Sequence, residues 1–264
     1  MAKIVFGPFG AIGSLGGVLG GVLVATTTKN FAPEWMIFFG VLIFISSLCP
    51  FFYVSERDNA LIEEHFRSKP LTAIREVKKQ VFLIIALVVL SQFAVNIVQY
   101  KFNFYIQENF SDKVAKTEIL AKVYAWVNSL SLVIQIVLIP YLLRVVKLSW
   151  IHFSVPIFYI ICTSLLFGTS IMQMVVILLI GSKALDYSIF STAKEILYFS
   201  LNPEQKYGAK YLADMVGYRF GKGFISFLLV FVQSHSMVNL LLLFTLVLWV
   251  GSILALGIDS KKAK

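Results

Sequence analysis

The sequence predicts an all-α, polytopic membrane protein, and three observations carry that prediction. Of its 264 residues 58% are hydrophobic and only 14% are charged. The mean hydropathy of +0.83 exceeds what one soluble core of this length can hide. Finally, the apolar residues fall in continuous runs long enough to cross a bilayer as helices, which excludes the alternating pattern of a membrane β-barrel.

The runs lie at residues 5–28, 35–54, 80–106, 123–143, 150–168, 172–199, 212–232 and 237–258, about eight transmembrane helices by length. The first, "GPFGAIGSLGGVLGGVLVA", follows a single basic residue, Lys3, and has no small-residue cleavage pattern, so it reads as a membrane helix rather than a signal peptide. It spaces Gly13 and Gly17, Gly16 and Gly20, and Gly17 and Gly21 four apart, which lets helices approach closely, either for tight packing or for sliding past a neighbour.

Residues 55–79 form the longest charged connection and mix Glu56, Asp58, Glu63, Glu64 and Glu76 with Arg57, Arg67, Lys69, Arg75, Lys78 and Lys79. The chain thereby divides into a two-helix segment 1–54, a charged cytoplasmic linker 55–79 and a six-helix block 80–264. A charged cytoplasmic loop ahead of six helices is how the halves of a major-facilitator transporter are joined, and eight helices arranged so match helices five to twelve of such a carrier.

Basic residues set the orientation. Lys3, the basic residues of 55–79, Arg144, Lys147, Lys206, Lys210 and the tail Lys261, Lys262 and Lys264 fall on one side, outweighing Lys29, Lys113, Lys116 and Lys122 on the other. Both termini are therefore predicted to be cytoplasmic. The net charge of +9 follows from these loops and does not require nucleic acid as a partner. Cys49 and Cys162 lie in apolar runs without metal-ligand spacing, and His65, His152 and His235 form no cluster. Neither a metal site nor a cofactor is expected. No nucleophile, base and orienting group come together, which speaks against an enzyme, and no Walker-type loop is present, which speaks against transport driven directly by ATP hydrolysis.

The unusual charges are Lys101, Lys183, Lys194, Arg219 and Lys222, inside or at the margin of apolar runs, joined by Asp186 and Glu195 in "SKALDYSIFSTAKEILYF". At 100° per residue Lys183, Asp186, Tyr187, Phe190, Ser191 and Lys194 fall within roughly 140° and share one face, while Glu195 points about 100° beyond Lys194, toward a neighbouring helix. An ionised group in hydrocarbon costs at least ~2.5–3.5 kcal/mol, so several on one face imply a water-filled pathway or close partners. The alternatives are neutralisation of Lys183 by Asp186 three residues on, and snorkelling of Lys194 and Glu195. Asn96, Gln99 and Asn103 make a polar stripe and a candidate cavity wall, whereas Lys101 points elsewhere, toward the interface. Asp214, Arg219 and Lys222 are a candidate gate or a loop-capping cluster. Basic residues outnumber acidic ones in and beside the runs, which favours an anionic solute and a secondary transporter; Asp186 and Glu195 leave room for a proton-coupled carrier.

Three stretches, "VNIVQYKFN", "SKALDYSIFSTAKEILYFSLNPEQKYGAKYLADMV" and "RFGKG", together resemble the nucleotide transporter family, the ATP/ADP translocases of plastids and obligate intracellular bacteria. The resemblance runs from that family's fifth helix to its end and implies a major-facilitator-like fold, ATP and ADP as substrates, and exchange by alternating access. It implies that Lys194 engages the nucleotide phosphates; around it the charge pattern is read with Lys183 and Arg219 supplying supporting positive potential, Asn96 and Gln99 facing base or ribose, and Asp186 and Glu195 beside them. Gln99 stands where the exchangers carry a glutamate, and Ser191 and Thr192 where the family places a polar residue and proline. The resemblance also implies a bacterial inner membrane or plastid envelope, and four preceding helices that this chain lacks. The rival readings are a carrier of another organic anion and a truncated, non-transporting remnant.

Overall fold

The computed structural model describes residues 2–27, 31, 34–35, 37–46, 48, 74–168, 172–232 and 234–257. They form an all-helical bundle: α1 (Ala2–Thr27), α2 (Ile37–Ser46), α3 (Ile74–Asn109), α4 (Lys113–Val145), α5 (Leu148–Gly168), α6 (172–198), α7 (203–231) and α8 (His235–Leu256). Of the expected linker 55–79, residues 55–73 lie outside the described residues, and 74–79 already belong to the first turns of α3.

Two helices begin earlier than hydropathy places them. Asp112 caps α4 by accepting from the Ala115 amide at 3.0 Å, so the polar stretch from Lys113 to Lys122 is helical rather than loop. Pro203 opens α7 behind Asn202, with the Gln205 side chain reaching back to the Asn202 amide at 3.3 Å, so Lys206 and Lys210 ride on the helix. Each cap satisfies backbone donors that a helix start leaves open.

Among the described residues five helical stretches are long and apolar enough to cross a membrane: Ile74–Asn109, Lys113–Val145, Leu148–Leu165, Gln173–Tyr198 and His235–Leu256. Ala11–Thr27 and Ile37–Ser46 are shorter apolar helices. Much of the exterior is apolar too: Phe82, Trp126, Trp150, Phe231, Phe244 and Leu254 all face outward. Lipid tolerates that surface because the backbone groups are satisfied within each helix.

α3 is the central element and packs against α6, α7 and α8, burying Ile84, Leu87, Val88, Ala94, Ile97, Val98 and Phe102. α5 closes the far side against α6 and α8, where Trp249 of α8 lies 5.9 Å from the Tyr159 ring and 5.5 Å from Phe190. α1 docks on α4.

Glycine makes that last contact. A Cβ on Gly17 would fall 2.5 Å from the Asn128 side chain, and one on Gly21 would fall 3.0–3.1 Å from the Ala125 Cβ and backbone, whereas Gly13, Gly16 and Gly20 face open space. Of the three spacings in the sequence, the Gly17 and Gly21 pair is the packing face. Gly21→Leu is expected to push α1 off α4 at a cost of about 1–3 kcal/mol, and Gly20→Leu to cost nothing measurable. The thermal midpoints of the two detergent-solubilised variants decide it, and equal midpoints would contradict the assignment.

Candidate functional site

Residues 182–198 lie on α6, but that helix is not uniform. It runs as α-helix to Leu185, widens to a π-type turn over Asp186–Phe190 and returns to α-helix at Ser191. Ser188 Oγ donates to the Ala184 carbonyl inside this region, a back-bond that commonly bends helices. The wide turn holds an extra residue, so every position after it is rotated from the even 100° progression. The single face expected from Lys183 to Lys194 is therefore split. Phe190 is buried against Trp249 and His152, Tyr187 and Ser191 are exposed, and the two lysines reach different helices.

Lys183 turns toward α4 and α3. It is buried, its Nζ donates to the Tyr124 hydroxyl at 3.2 Å, and it lies 4.9 Å from the centre of that ring. Tyr124 in turn donates to Gln99 Oε1 at 2.9 Å, and Gln99 Nε2 donates to Asn103 Oδ1 at 2.7 Å. A polar chain thus links α6, α4 and α3. Asn96, on the same side of α3, bonds back to the Gln92 carbonyl at 2.7 Å. Tyr124 was invisible in the sequence, because a lone tyrosine in an apolar run has no spacing to distinguish it.

Lys101 does not snorkel. It is buried between α3 and α8, where its Nζ donates to Asn239 Oδ1. The amide oxygen takes the role that interfacial water would have played, which is how a cation stays inside a bundle.

Lys194 and Glu195 both turn to α7. Lys194 Nζ is 2.7 Å from Asp214 Oδ1, and Lys210 Nζ is 2.9 Å from Glu195 Oε2. Tyr198 OH lies 3.5 Å from the same Asp214 oxygen, and Lys210 sits 6.0 Å above the Tyr198 ring. Two ion pairs of opposite polarity therefore clasp α6 to α7 beside the short connection 199–202. Asp214 lies in a second wide turn, Tyr211–Gly217. Of the three residues expected to form a gate, Asp214 is engaged with Lys194. Lys222 lies 4.5 Å over the Tyr218 ring, and Arg219 is exposed and in no ion pair among the described residues. Gly217 and Gly221 bring α7 close to α3, where added Cβ atoms would meet Ile85 and the backbone of Val89.

Asp186 does not pair with Lys183. Its Oδ1 is buried without a hydrogen-bond partner, in the positive field of Lys194, Lys183 and Lys222. Tyr187 is within electrostatic reach of Tyr124 on α4 and Tyr218 on α7. A third wide turn, Ile134–Leu138 on α4, faces the one on α6. Pro140 supplies no N–H to the carbonyl four residues back, which gives that turn a cause. Gln135 within it donates to the Tyr187 carbonyl at 3.0 Å, satisfying backbone that the α6 distortion loosens, and Ser14 of α1 donates to Gln135 Oε1 at 3.4 Å.

Chemically the arrangement presents lysines at two levels of α6, roughly 16 Å apart along its axis at 1.5 Å per residue. Each is steadied by a group that can be exchanged, a phenol at Lys183 and a carboxylate at Lys194. Such a surface suits an elongated anion with a phosphate-like charge at one end. Among the described residues no His, Cys, Asp or Glu cluster could hold a metal ion.

No curated protein and no solved structure matches the chain. Residues 171–259 match the family model described as TLC ATP/ADP transporter. That segment holds Lys183, Asp186, Lys194, Glu195, Asp214 and Arg219, while Asn96, Gln99 and Tyr124 lie outside it. The clasp between α6 and α7 therefore sits in the segment that matches the TLC ATP/ADP transporter model, a match consistent with the nucleotide transporter family that the three sequence stretches resemble.

Proposed function

We propose that this chain is a secondary-active nucleotide carrier that exchanges ATP for ADP by alternating access within a major-facilitator-like bundle. The observation that carries the reading is Lys194. It is an amine on a charged transmembrane helix, held at 2.7 Å by a carboxylate of the next helix, inside the segment that matches the transporter family.

In this reading Lys194 contacts the nucleotide phosphates as a point charge. Lys183 and Arg219 add positive potential, Asp186 lies in the field of the lysines, and Glu195 holds Lys210. The Asn96 and Gln99 side of α3, extended by Tyr124, faces base or ribose. Binding near the midplane and rocking of the halves expose the site alternately to either side. The carrier sits in a bacterial inner membrane or a plastid envelope with both termini cytoplasmic.

Equilibrium binding of a panel of solutes to the purified chain tests the assignment. ATP and ADP are expected to bind, with adenosine and simple dicarboxylates weaker by at least about tenfold, the worth of one good charged contact. Preference for a dicarboxylate would move the assignment to a carrier of another organic anion.

A further inference from the structure

We propose that Asp214 is a resident stand-in for the solute's phosphate: it occupies Lys194 while the site is empty, and an incoming phosphate replaces it, freeing α7 from α6 in the same step. The inference rests on the reading of Lys194 as the phosphate contact.

The geometry supports exchange rather than a permanent tie. The Lys194 and Asp214 side chains are 16% and 28% exposed, so the pair is shielded enough to hold yet open enough for a competing anion to approach. A phosphate cannot settle on Lys194 beside an ionised Asp214 without like-charge repulsion, so one anion must leave. Asp214 has a second cation within reach of its own helix. Lys210 lies one turn earlier on α7, at the spacing that lets side chains meet, and is now held by Glu195.

Order of charges adds to the argument. α6 presents Lys194 then Glu195, and α7 presents Lys210 and Asp214 to meet them crosswise. Once phosphate takes Lys194, Asp214 can neutralise Lys210, and Glu195 is released. The wide turn Tyr211–Gly217, carrying Asp214, gives α7 slack for this change, because its widened hydrogen-bond ladder opens more readily than that of an ordinary α-helix. The device makes solute occupancy and the α6–α7 clasp mutually exclusive. Asp214 is a positioning residue that acts through Lys194.

The test uses the purified full chain with ATP and tripolyphosphate as probes. Removing the competitor in Asp214→Asn is expected to tighten binding of both probes about three- to tenfold, with Asp214→Glu close to the wild-type value. A merely structural tie would weaken binding or leave it unchanged on removal, and either result in folded Asp214→Asn overturns the proposal. In the unaltered protein, ATP is expected to speed amide hydrogen exchange across residues 211–217. Protection or no change there overturns it too, and this readout stands even where Asp214→Asn fails to fold. Tight tripolyphosphate with no ATP binding would retire the nucleotide reading and keep the exchange of Asp214; absence of binding by both probes would remove both.

Discussion

Lys194→Gln is expected to lower nucleotide affinity about ten- to a hundredfold and to abolish uptake. A hydrogen bond to a charged group contributes about 1.5–3 kcal/mol, and glutamine keeps a donor and much of the length while removing the charge. The change also takes the Lys194 cation away from Asp214, whose Oδ1 keeps the Tyr198 hydroxyl at 3.5 Å. That carboxylate then repels phosphate without a lysine to offset it. Lys194→Arg keeps the charge and is expected to retain part of the binding, although its planar fork fits a site built around a point charge less well. Calorimetric or equilibrium-dialysis binding, with the thermal midpoint measured alongside, separates lost contact from lost fold. Folded Lys194→Gln with wild-type affinity would remove Lys194 from the site.

Asn239→Leu is expected to destabilise the bundle by about 3 kcal/mol, the largest loss of stability among these substitutions. Lys101 is buried at the α3–α8 contact and donates to Asn239 Oδ1. Leucine fills the space and leaves an ammonium group without an acceptor, which costs more than the bond itself contributed. Lys101→Met alone is expected to be milder, because a neutral amide left behind is cheaper than a charge. The double variant is expected to recover most of the loss, since replacing both partners with apolar groups of similar shape is close to neutral. Thermal midpoints of the four proteins in one detergent form the cycle, and additive losses would show that the two residues do not act together.

Much of the architecture was legible because membrane helices announce themselves by length and hydropathy alone. The places where α3, α5, α6 and α8 run follow from apolar runs that leave no other structure satisfiable in lipid. The starts of α4 and α7 were not legible in this way. Their first turns are polar, and Asp112 and Pro203 mark them through capping chemistry that a hydropathy window does not register. At the site, the 100° step placed Glu195 toward a neighbouring helix, and it does meet one at Lys210, although Lys194 turns to that same helix. The shared face of Lys183 and Lys194 was misread, because the wide turn at Asp186–Phe190 breaks the even progression. That turn depends partly on contacts from elsewhere, among them Gln135 on the Tyr187 carbonyl, and no local pattern encodes them. Lys101 was misjudged for a related reason. Its acceptor, Asn239, comes from α8, far along the chain.

The network around Lys183 extends the same lesson. Gln99 and Asn103 advertise themselves by spacing, and Lys183 by its charge, yet what joins them is Tyr124. The network is assembled by packing of α3, α4 and α6, with Gln99 and Asn103 from α3, Tyr124 from α4 and Lys183 from α6.

The most direct measurement is uptake of labelled ATP and ADP by intact cells expressing this chain, beside cells expressing Lys194→Gln. The account predicts saturable uptake, stimulated by nucleotide already inside and lost in the variant. With the protein shown to be in the membrane, absence of uptake, or uptake that Lys194→Gln leaves intact, would contradict it.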